Sequence, residues 1–371
     1  MNTREQFFAL LRSGLWGSAA NPSDFPANTD WKAIFRLAQQ QTVSAIVHDG
    51  FSTLPADLHP APPLLHQWYA YVAKIEQSHE LINQRLAEVT MRLQEEGIHS
   101  ILLKGQGVAE HYRIPNHRHC GDIDLYIGAK EYKRIYKVVQ QWGIDPESDF
   151  ENTKHYHFRF KGVSIEVHHT AQDLNNIFCN RAFQRWTKYH LSADRIRKWA
   201  VGETEVWLPP VNFDALYIFS HACQHFFQGG IGVRQFCDWA RYLHRFNRDI
   251  DREALIQNLA TFGLTDVWQQ FSPVAVEYLG LPEKEMPLYT PCPPKKTERI
   301  VTHILKDGNF GFNRRVGQAS QRPKGYVSGK LYSFRRIQGR LWKLLPLFPK
   351  EVVSHSSTHL VKGIIRIIKY R

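Results

Sequence analysis

The sequence has few cysteines, and their spacing fits no common kind of cysteine site. The five are odd in number and far apart in the chain: Cys120, Cys179, Cys223, Cys237 and Cys292. A disulfide framework needs paired cysteines, and a zinc pair of the CxxC type needs two that are nearly adjacent. Since disulfides are rare in reducing compartments, we expect a protein that works in one.

Long apolar runs are also missing. No stretch approaches the roughly 20 apolar residues of a membrane-spanning helix. The first six residues, Met1 to Gln6, lack the pattern of a signal peptide. We therefore expect a cytoplasmic location. The sequence Gly105-Gln106-Gly107 has neither the spacing nor the βαβ unit of a dinucleotide fingerprint, which excludes that class of site.

Acidic residues are scarce in the last part of the chain. From Lys295 to Arg371 there are 18 Lys and Arg residues and 3 acids, a net charge of +15. Because the whole chain carries +12, the first 294 residues carry −3. The positive charge is therefore confined to the tail, where it is compatible with RNA although no RNA-binding motif is present.

Apolar residues recur at helical spacing near the end of this basic tail. They alternate with Lys362, Arg366 and Lys369, and are Leu360, Val361, Ile364, Ile365 and Ile368. A basic amphipathic helix suits an anionic membrane, so one expectation is peripheral contact with the inner membrane face. The alternative is a last helix docked on the protein's own core.

Two aspartates alternate with aliphatic residues in the stretch from Gly121 to Ile127. Asp122 and Asp124 lie between Ile123 and Leu125, the period-two pattern of a half-buried strand. Both carboxylates then share one face and repel each other. A divalent cation would relieve that repulsion, and Mg²⁺ with a triphosphate is the usual occupant. The alternative is a surface strand with two solvated aspartates.

Two neighbouring features strengthen the aspartate pattern. Lys104 and Gly105 end a short apolar strand and begin a helix, where free backbone N–H groups favour a phosphate. Glu166 lies between Ile165 and Val167 on the second strand of a predicted hairpin. Three carboxylates near a phosphate-binding turn fit phosphoryl or nucleotidyl transfer with two metal ions.

These residues resemble the polymerase-β-like nucleotidyltransferase superfamily, with its Gly-containing turn, its hDhDh strand and a later acid on a neighbouring strand. More narrowly, the chain is similar to the uncharacterised nucleotidyltransferase family of bacterial genomes. That likeness extends over roughly residues 5–280. It includes the Leu-Lys-Gly turn at 103–105 and the downstream residues His221, His225, Arg234 and Asp238.

The resemblance implies roles for residues of this chain. Asp122, Asp124 and Glu166 are implied as metal ligands and catalytic residues, with Glu166 also drawing the proton from the attacking hydroxyl. Gly105 is implied as the turn glycine. The chain departs from the superfamily in having Gln106 where Ser is common, and Glu166 where the third acid is often Asp.

Further residues are candidates for contact with the nucleotide. Lys104 lies at a strand end near the expected triphosphate, and Gly105 and Gln106 belong to the turn. Arg118 lies four residues before Asp122, in a loop that must pass the nucleotide. We therefore predict a nucleotide-binding set of Lys104, Gly105, Gln106 and Arg118.

The helical region after residue 211 contains two pairs of polar residues that are each one helical turn apart. His221 and His225 are one turn apart, a spacing that can hold zinc but that lacks a third ligand in register. We expect instead that they hydrogen-bond across the helical region or line the acceptor cleft. Arg234 and Asp238 have the spacing of an intrahelical ion pair.

The prediction is an α+β protein with a small mixed-sheet nucleotidyltransferase core between helical regions. The expected segments are 1–97 (helical), 98–210 (core), 211–290 (helical) and 291–371 (basic extension). The predicted reaction moves an NMP from an NTP such as ATP to a hydroxyl acceptor, with two Mg²⁺ ions and release of pyrophosphate. The acceptor is left open between a small molecule, a glycan precursor, a protein and RNA. The alternatives are an Asp-x-Asp glycosyltransferase and a non-catalytic nucleotide-binding module.

Overall fold

The computed structural model describes residues 1–147, 155–311 and 325–369, with the backbone alone after residue 361. Helices form most of it. They are α1 (Thr3–Trp16), α2 (Trp31–Gln40), α3 (Ser44–Phe51), α4 (Pro62–Glu95), α5 (Gly105–Ala109), α6 (Gly128–Gln141), α7 (Ile177–His190), α8 (Val211–Gln228), α9 (Arg234–Arg245), α10 (Arg252–Thr261), α11 (Thr265–Pro273), α12 (Pro294–Asp307), α13 (Tyr326–Leu344) and α14 (Pro349–Lys369). The strands are β1 (Ile101–Leu103), β2 (Asp122–Tyr126), β3 (His155–Phe160), β4 (Val163–His168), β5 (Arg197–Val201) and β6 (Thr204–Leu208).

Local sequence signals account for several helix ends. Asn2 and Glu5 form a capping box at the start of α1, with Glu5 N–H donating to Asn2 Oδ1 at 3.0 Å. Asp30 caps α2 by accepting from the Ala33 N–H. The long helix α4 begins with proline at its first position and is followed by Gly97 at φ +67°.

The six strands form one mixed sheet in the order β3-β4-β2-β1-β6-β5. β2 pairs in parallel with β4 and antiparallel with β1, and β3 with β4 is an antiparallel hairpin. The expected α+β class is therefore confirmed. A glycosyltransferase of the Asp-x-Asp type would need a parallel α/β half before the motif, whereas the described residues before β1 are helical.

The two faces of the sheet have different surroundings. Ile123 and Leu125 of β2 are buried on one face, in an apolar cluster that includes side chains of α4 and α6. Ile101 and Leu103 of β1 lie on the other face, packed with Phe213 and Tyr217 of α8. Since Asp124 is paired with Leu103 across β1 and β2, the acidic face is the one that α8 covers.

Several elements were not predicted from the sequence. No structure was predicted between residues 169 and 211, where α7, β5 and β6 lie. Nor was any clear periodicity found in the tail before Leu360, although α12, α13 and the first part of α14 are helical. Of the apolar residues noted there, the side chains of Ile364, Ile365 and Ile368 lie outside the described residues.

One apolar cluster joins helices from distant parts of the chain. It contains side chains of α1 to α4, of α8 to α12 and of the segment 341–352. This apolar core therefore extends across the predicted segment boundaries at 97, 210 and 290. The division of the chain into those segments stays a prediction. Among the described residues, no helix combines the length and the apolar character needed to span a bilayer.

Candidate active site

The parallel pairing of β2 with β4 brings the predicted acids together. Asp124 is directly paired with Glu166, and Tyr126 with His168. Because side chains alternate along a strand, Asp122, Asp124, Glu166 and His168 all project from the same face. Two carboxylates from positions 42 residues apart in the chain thus become neighbours.

Asp124, Glu166 and His168 form a group whose ligand atoms all lie within 4.8 Å of one another. His168 Nε2 is 2.9 Å from Asp124 Oδ1 and 3.4 Å from Glu166 Oε2. His168 was not among the site residues predicted from the sequence. The available signal was the alternation along β4, which places residue 168 on the same face as residue 166.

Asp122 has a more peripheral position than the sequence indicated. It is the exposed first residue of β2, paired with Ser164. In the part of the chain that the structure describes, it does not belong to the group of atoms that meet within 4.8 Å. The negative charge of Asp124 is the main cause that raises the pKa of Asp122 to about 6.

Lys104 lies against the acids from the strand-to-helix turn. Its Nζ is 3.1 Å from Asp124 Oδ2 and 3.0 Å from His221 Nε2. Lys104 has φ +57° and Gly105 has φ +51°, so the chain turns sharply here. Glycine adopts such a conformation without the cost that a side chain would add, which is consistent with the predicted role of Gly105.

Burial and neighbouring charges shift the pKa values of this cluster in opposite directions. Burial alone would raise the pKa of Asp124, but Lys104 and His168 outweigh it and hold that pKa far below its usual range. Burial opposes the charge on His168, yet hydrogen bonds to Asp124 and Glu166 raise its pKa to about 9. The hydrogen bond from His168 also lowers the pKa of Glu166. The inner acids are therefore ionised and balanced by cations at neutral pH.

Gln106 is turned away from the acids. Its Nε2 donates to Asn83 Oδ1 at 2.7 Å and to the His79 carbonyl oxygen at 3.3 Å, both on α4. The side chain is fully buried. It therefore fixes the turn to α4, and any contact of Gln106 with a phosphate would have to come from its backbone N–H.

Arg118 is buried in an ion pair with α9. Its Nε and Nη2 donate to the two carboxylate oxygens of Asp238, each at 2.7 Å, and Tyr112 donates its hydroxyl to the same carboxylate at 2.6 Å. The predicted contact of Arg118 with phosphates stays untested. Among the described residues, Arg234 forms no direct ion pair with Asp238: it donates to the His119 carbonyl oxygen at 2.7 Å, although its charge contributes to lowering the pKa of Asp238.

The histidine pair of α8 borders the cluster. His221 Nε2 is 3.1 Å from His225 Nε2 and 3.0 Å from Lys104 Nζ, so both groups meet at the same ring nitrogen. Burial and then the charge of Lys104 hold the pKa of His221 well below its usual value. His221 is therefore neutral beside the ammonium, and the pair contributes to the wall of the site that α8 supplies.

The chain was compared with known proteins. The profile of a family described as "Uncharacterised nucleotidyltransferase" matches residues 27–280. A solved structure of an antigenic nucleotidyltransferase-like protein from Paracoccidioides brasiliensis is 15% identical, with a TM-score of 0.33. That match covers 53% of this chain and 92% of the other, and is too low in similarity to support any conclusion. No curated protein matches the chain significantly.

Proposed function

Because the chain belongs to the uncharacterised nucleotidyltransferase family, we propose that it transfers an NMP from an NTP such as ATP to a hydroxyl acceptor. The acceptor oxygen bonds to the α-phosphorus, the bond from that phosphorus to the bridging oxygen breaks, and pyrophosphate leaves. The hydroxyl proton passes to a carboxylate of the enzyme. The observation that carries this proposal is the pairing of Asp124 with Glu166 on adjacent strands.

The donor atoms of this site fit a divalent cation. Asp124 and Glu166 offer carboxylate oxygens within 4.8 Å of each other and of the His168 ring, and carboxylates are the protein ligands that Mg²⁺ prefers. We propose Asp124 and Glu166 as ligands, with Asp122 at the outer end of the same strand face. Bound there, Mg²⁺ would neutralise the triphosphate and favour ionisation of the acceptor hydroxyl. Occupancy by two ions stays a prediction.

Glu166 is suited to accept the proton of the acceptor. The hydrogen bond from His168 lowers the pKa of Glu166, so its carboxylate is ionised at neutral pH. Its side chain is about one third exposed, whereas that of Asp124 is nearly buried. An acceptor hydroxyl can therefore approach Glu166 more readily than Asp124, which is the geometry that a general base requires.

Lys104 is positioned to exchange its contact with the Asp124 carboxylate for a contact with a phosphate of the nucleotide. Its ammonium lies 3.1 Å from Asp124 Oδ2. A triphosphate oxygen offers the same kind of charge-assisted hydrogen bond. We propose that Lys104 contacts the phosphates and that the N–H groups of Gly105 and Gln106 assist. Helix α5 is five residues long, so these few donors, rather than a large helix dipole, would supply that assistance.

Arg118 is placed to hold the metal strand rather than the nucleotide. A direct phosphate contact would require breaking its two hydrogen bonds to Asp238, both inside the protein. Because residues 118 to 122 lead directly into β2, this ion pair ties the start of the strand to α9. We propose Arg118 as a positioning residue.

The experiment is a pyrophosphate-release assay. The purified protein is incubated with each NTP, labelled at the α-phosphate, and Mg²⁺, together with candidate small molecules, glycan precursors, proteins and RNA. We expect label to move to an acceptor in proportion to pyrophosphate, and Asp124→Asn to stop both. The matched control Asp57→Asn changes an exposed aspartate of a different region. NTP binding without release in any mixture would favour a non-catalytic nucleotide-binding module.

A further inference from the structure

The helix α13 is fixed to the core by one face. Arg340 is buried there, donating from Nε to the Phe226 carbonyl oxygen at 2.8 Å and pairing with Asp307. Leu341 and Leu344 are buried in the large apolar cluster. The side of α13 that contacts the core is therefore defined, and the opposite side points outward.

The outward side of α13 is apolar and basic at once. Leu331 is 48% exposed and Trp342 is 65% exposed, and Arg335 is exposed between them. At about 100° per residue, positions 331, 335 and 342 lie within about 40° of one another around the helix. Arg336 and Lys343 are also exposed, about 80–100° further around the helix from this stripe.

The helix α14 has the same two-sided construction. Val352 is buried in the core cluster, and the His355 ring lies 4.7 Å from that of Phe227. Three large apolar side chains on the other side are exposed: Val353 by 62%, Leu360 by 49% and Val361 by 53%. A helix held to the core by residues 352 and 355 therefore presents residues 353, 360 and 361 outward.

The two stripes lie on the same outer side of the molecule. The His359 ring stacks on Phe334, and Ser356 donates to Gln338 Oε1 at 2.6 Å. The helices therefore run antiparallel, side by side. Since each stripe is opposite the side of its helix that contacts the core, both stripes face away from the protein together. We call this surface, formed by Leu331, Arg335, Trp342, Val353, Leu360 and Val361, the outer face.

The charge on these helices is almost entirely positive. Residues 326–369 contain nine Lys and Arg residues and one acid, Glu351. Glu351 is half-buried, so it does not offset the exposed arginines of the outer face. Exposed aliphatic residues and a tryptophan next to basic residues form the pattern of a helix that lies in a lipid–water interface.

We propose that the outer face binds the surface of an anionic lipid bilayer. The charge selects anionic headgroups, and the apolar side chains enter the headgroup region. A nucleic acid would use the arginines and Trp342 but would leave Val353, Leu360 and Val361 exposed to water. Membrane contact goes beyond the proposed nucleotidyl transfer, and it brings any lipid-linked acceptor to the enzyme.

The test is vesicle sedimentation of the full-length protein. Vesicles of phosphatidylcholine with about 30% phosphatidylglycerol supply the anionic surface, and pure phosphatidylcholine vesicles are the neutral comparison. At about 50 mM salt we expect pelleting with the anionic vesicles alone. Trp342→Glu and the pair Arg335→Glu with Arg336→Glu should each reduce the bound fraction at least about threefold.

Matched controls separate the outer face from general charge effects. Met91→Glu changes an exposed apolar residue of α4, and Lys32→Glu with Lys74→Glu removes two exposed bases of the N-terminal helices. These controls should bind as the unchanged protein does, and thermal unfolding confirms that each variant folds. Equal binding by outer-face variants and controls overturns the proposal, as does absence of pelleting. Tight binding of single-stranded RNA without vesicle binding also overturns it. Pyrophosphate release measured on the same variants reports the proposed activity separately.

Discussion

Replacing Glu166 should affect turnover and NTP affinity to different extents. Glu166 belongs with Asp124 and His168 to the group of side chains that could hold a metal ion, it is more exposed than Asp124, and its pKa is lowered by His168. Glu166→Gln keeps the shape and removes the proton acceptor. We expect turnover to fall about 10²- to 10⁴-fold, as for loss of a general base, while NTP affinity changes far less. Steady-state turnover and calorimetric NTP affinity check this, with Glu203→Gln as the exposed control. An equal fall in both would make Glu166 a nucleotide ligand only.

His117 links the loop before β2 to the N-terminal helices. Its Nδ1 is 2.9 Å from Asp49 Oδ1 and its Nε2 is 3.0 Å from Glu76 Oε1. Burial opposes the charge on His117, but these two acids outweigh it and raise its pKa. A pKa raised by folding stabilises the protein fully below the unfolded-state value of about 6.5. That stabilisation is lost as the pH rises through the folded-state pKa.

The stability lost on replacing His117 should therefore depend on pH. His117→Asn should lower the free energy of unfolding by about 2 kcal/mol near pH 6, because it removes hydrogen bonds to charged groups. The difference from the unchanged protein should shrink at pH 9. Urea unfolding at both pH values measures it, and the exposed His66→Asn is the control. A difference that stays constant from pH 6 to pH 9 would show that the charge on His117 does not matter.

At the scale of elements, the ion pair between Arg118 and Asp238 joins the loop before β2 to α9. Both side chains are nearly inaccessible to solvent. Removing one partner leaves a buried charge uncompensated, which costs about 3–5 kcal/mol. We expect Arg118→Met to lose that much stability in urea unfolding, and the double variant Arg118→Met with Asp238→Leu to recover part of it. Arg134→Met, which breaks an exposed pair with Glu131, should cost at most about 1 kcal/mol. A double variant no more stable than the single one would argue against an uncompensated charge.

The elements that the sequence predicted are those with clear alternation. β2 shows it: the predicted stretch from Gly121 to Ile127 contains the observed strand Asp122–Tyr126, and the hairpin predicted around Glu166 is present as β3 and β4. β5 contains Arg197 and Lys198, and its side chains are at most partly buried, so no apolar face marked it as a strand. The pairing of Asp124 with Glu166 depends on β2 and β4 becoming parallel neighbours. The order of strands depends on packing across the whole domain, which a local pattern does not contain.

The site residues also divide into those with a local sequence pattern and those placed by contacts between distant segments. The residue types and spacing predicted Asp124, Glu166 and Lys104, which the structure brings together. His168 and the partner of Arg118 were not predicted, although the alternation along β4 does place residue 168 on the same face as residue 166. Asp238 is 120 residues from Arg118 in the chain, and its nearest basic residue at helical spacing was Arg234. Contacts between distant segments decided these two positions.

At the scale of the whole molecule, the basic tail is part of the core. Ile300 and Val301 of α12, together with Leu344, Phe348 and Val352, lie in the cluster that also contains α1 to α4. Gln41 donates to the Leu305 carbonyl oxygen at 3.0 Å and accepts from the Val233 N–H at 3.0 Å, which ties three distant segments together. These tail residues are therefore docked on the protein's own core, whereas Leu360 and Val361, near the end of the last helix, are exposed.

This arrangement predicts the effect of truncation. A chain ending at Pro294 would expose the apolar surface that these tail residues cover, and each large aliphatic or aromatic side chain contributes about 1.5–3 kcal/mol when buried. We expect the shortened protein to lose cooperative thermal unfolding or to aggregate. A sharp transition at an unchanged Tm would show that the tail is not required for the fold.

We propose that Asp124 and its neighbours bind a nucleotide through a divalent cation. Calorimetric titration with an ATP analogue that has a methylene between its α- and β-phosphorus atoms tests this without an acceptor. With Mg²⁺ the unchanged protein should bind the analogue. Asp124→Asn should weaken binding at least about 100-fold, because it removes a metal ligand. Asp122→Asn should weaken it as well, and Asp57→Asn should not. Equal affinity in the presence of EDTA, or an unchanged affinity in folded Asp124→Asn, would contradict the account.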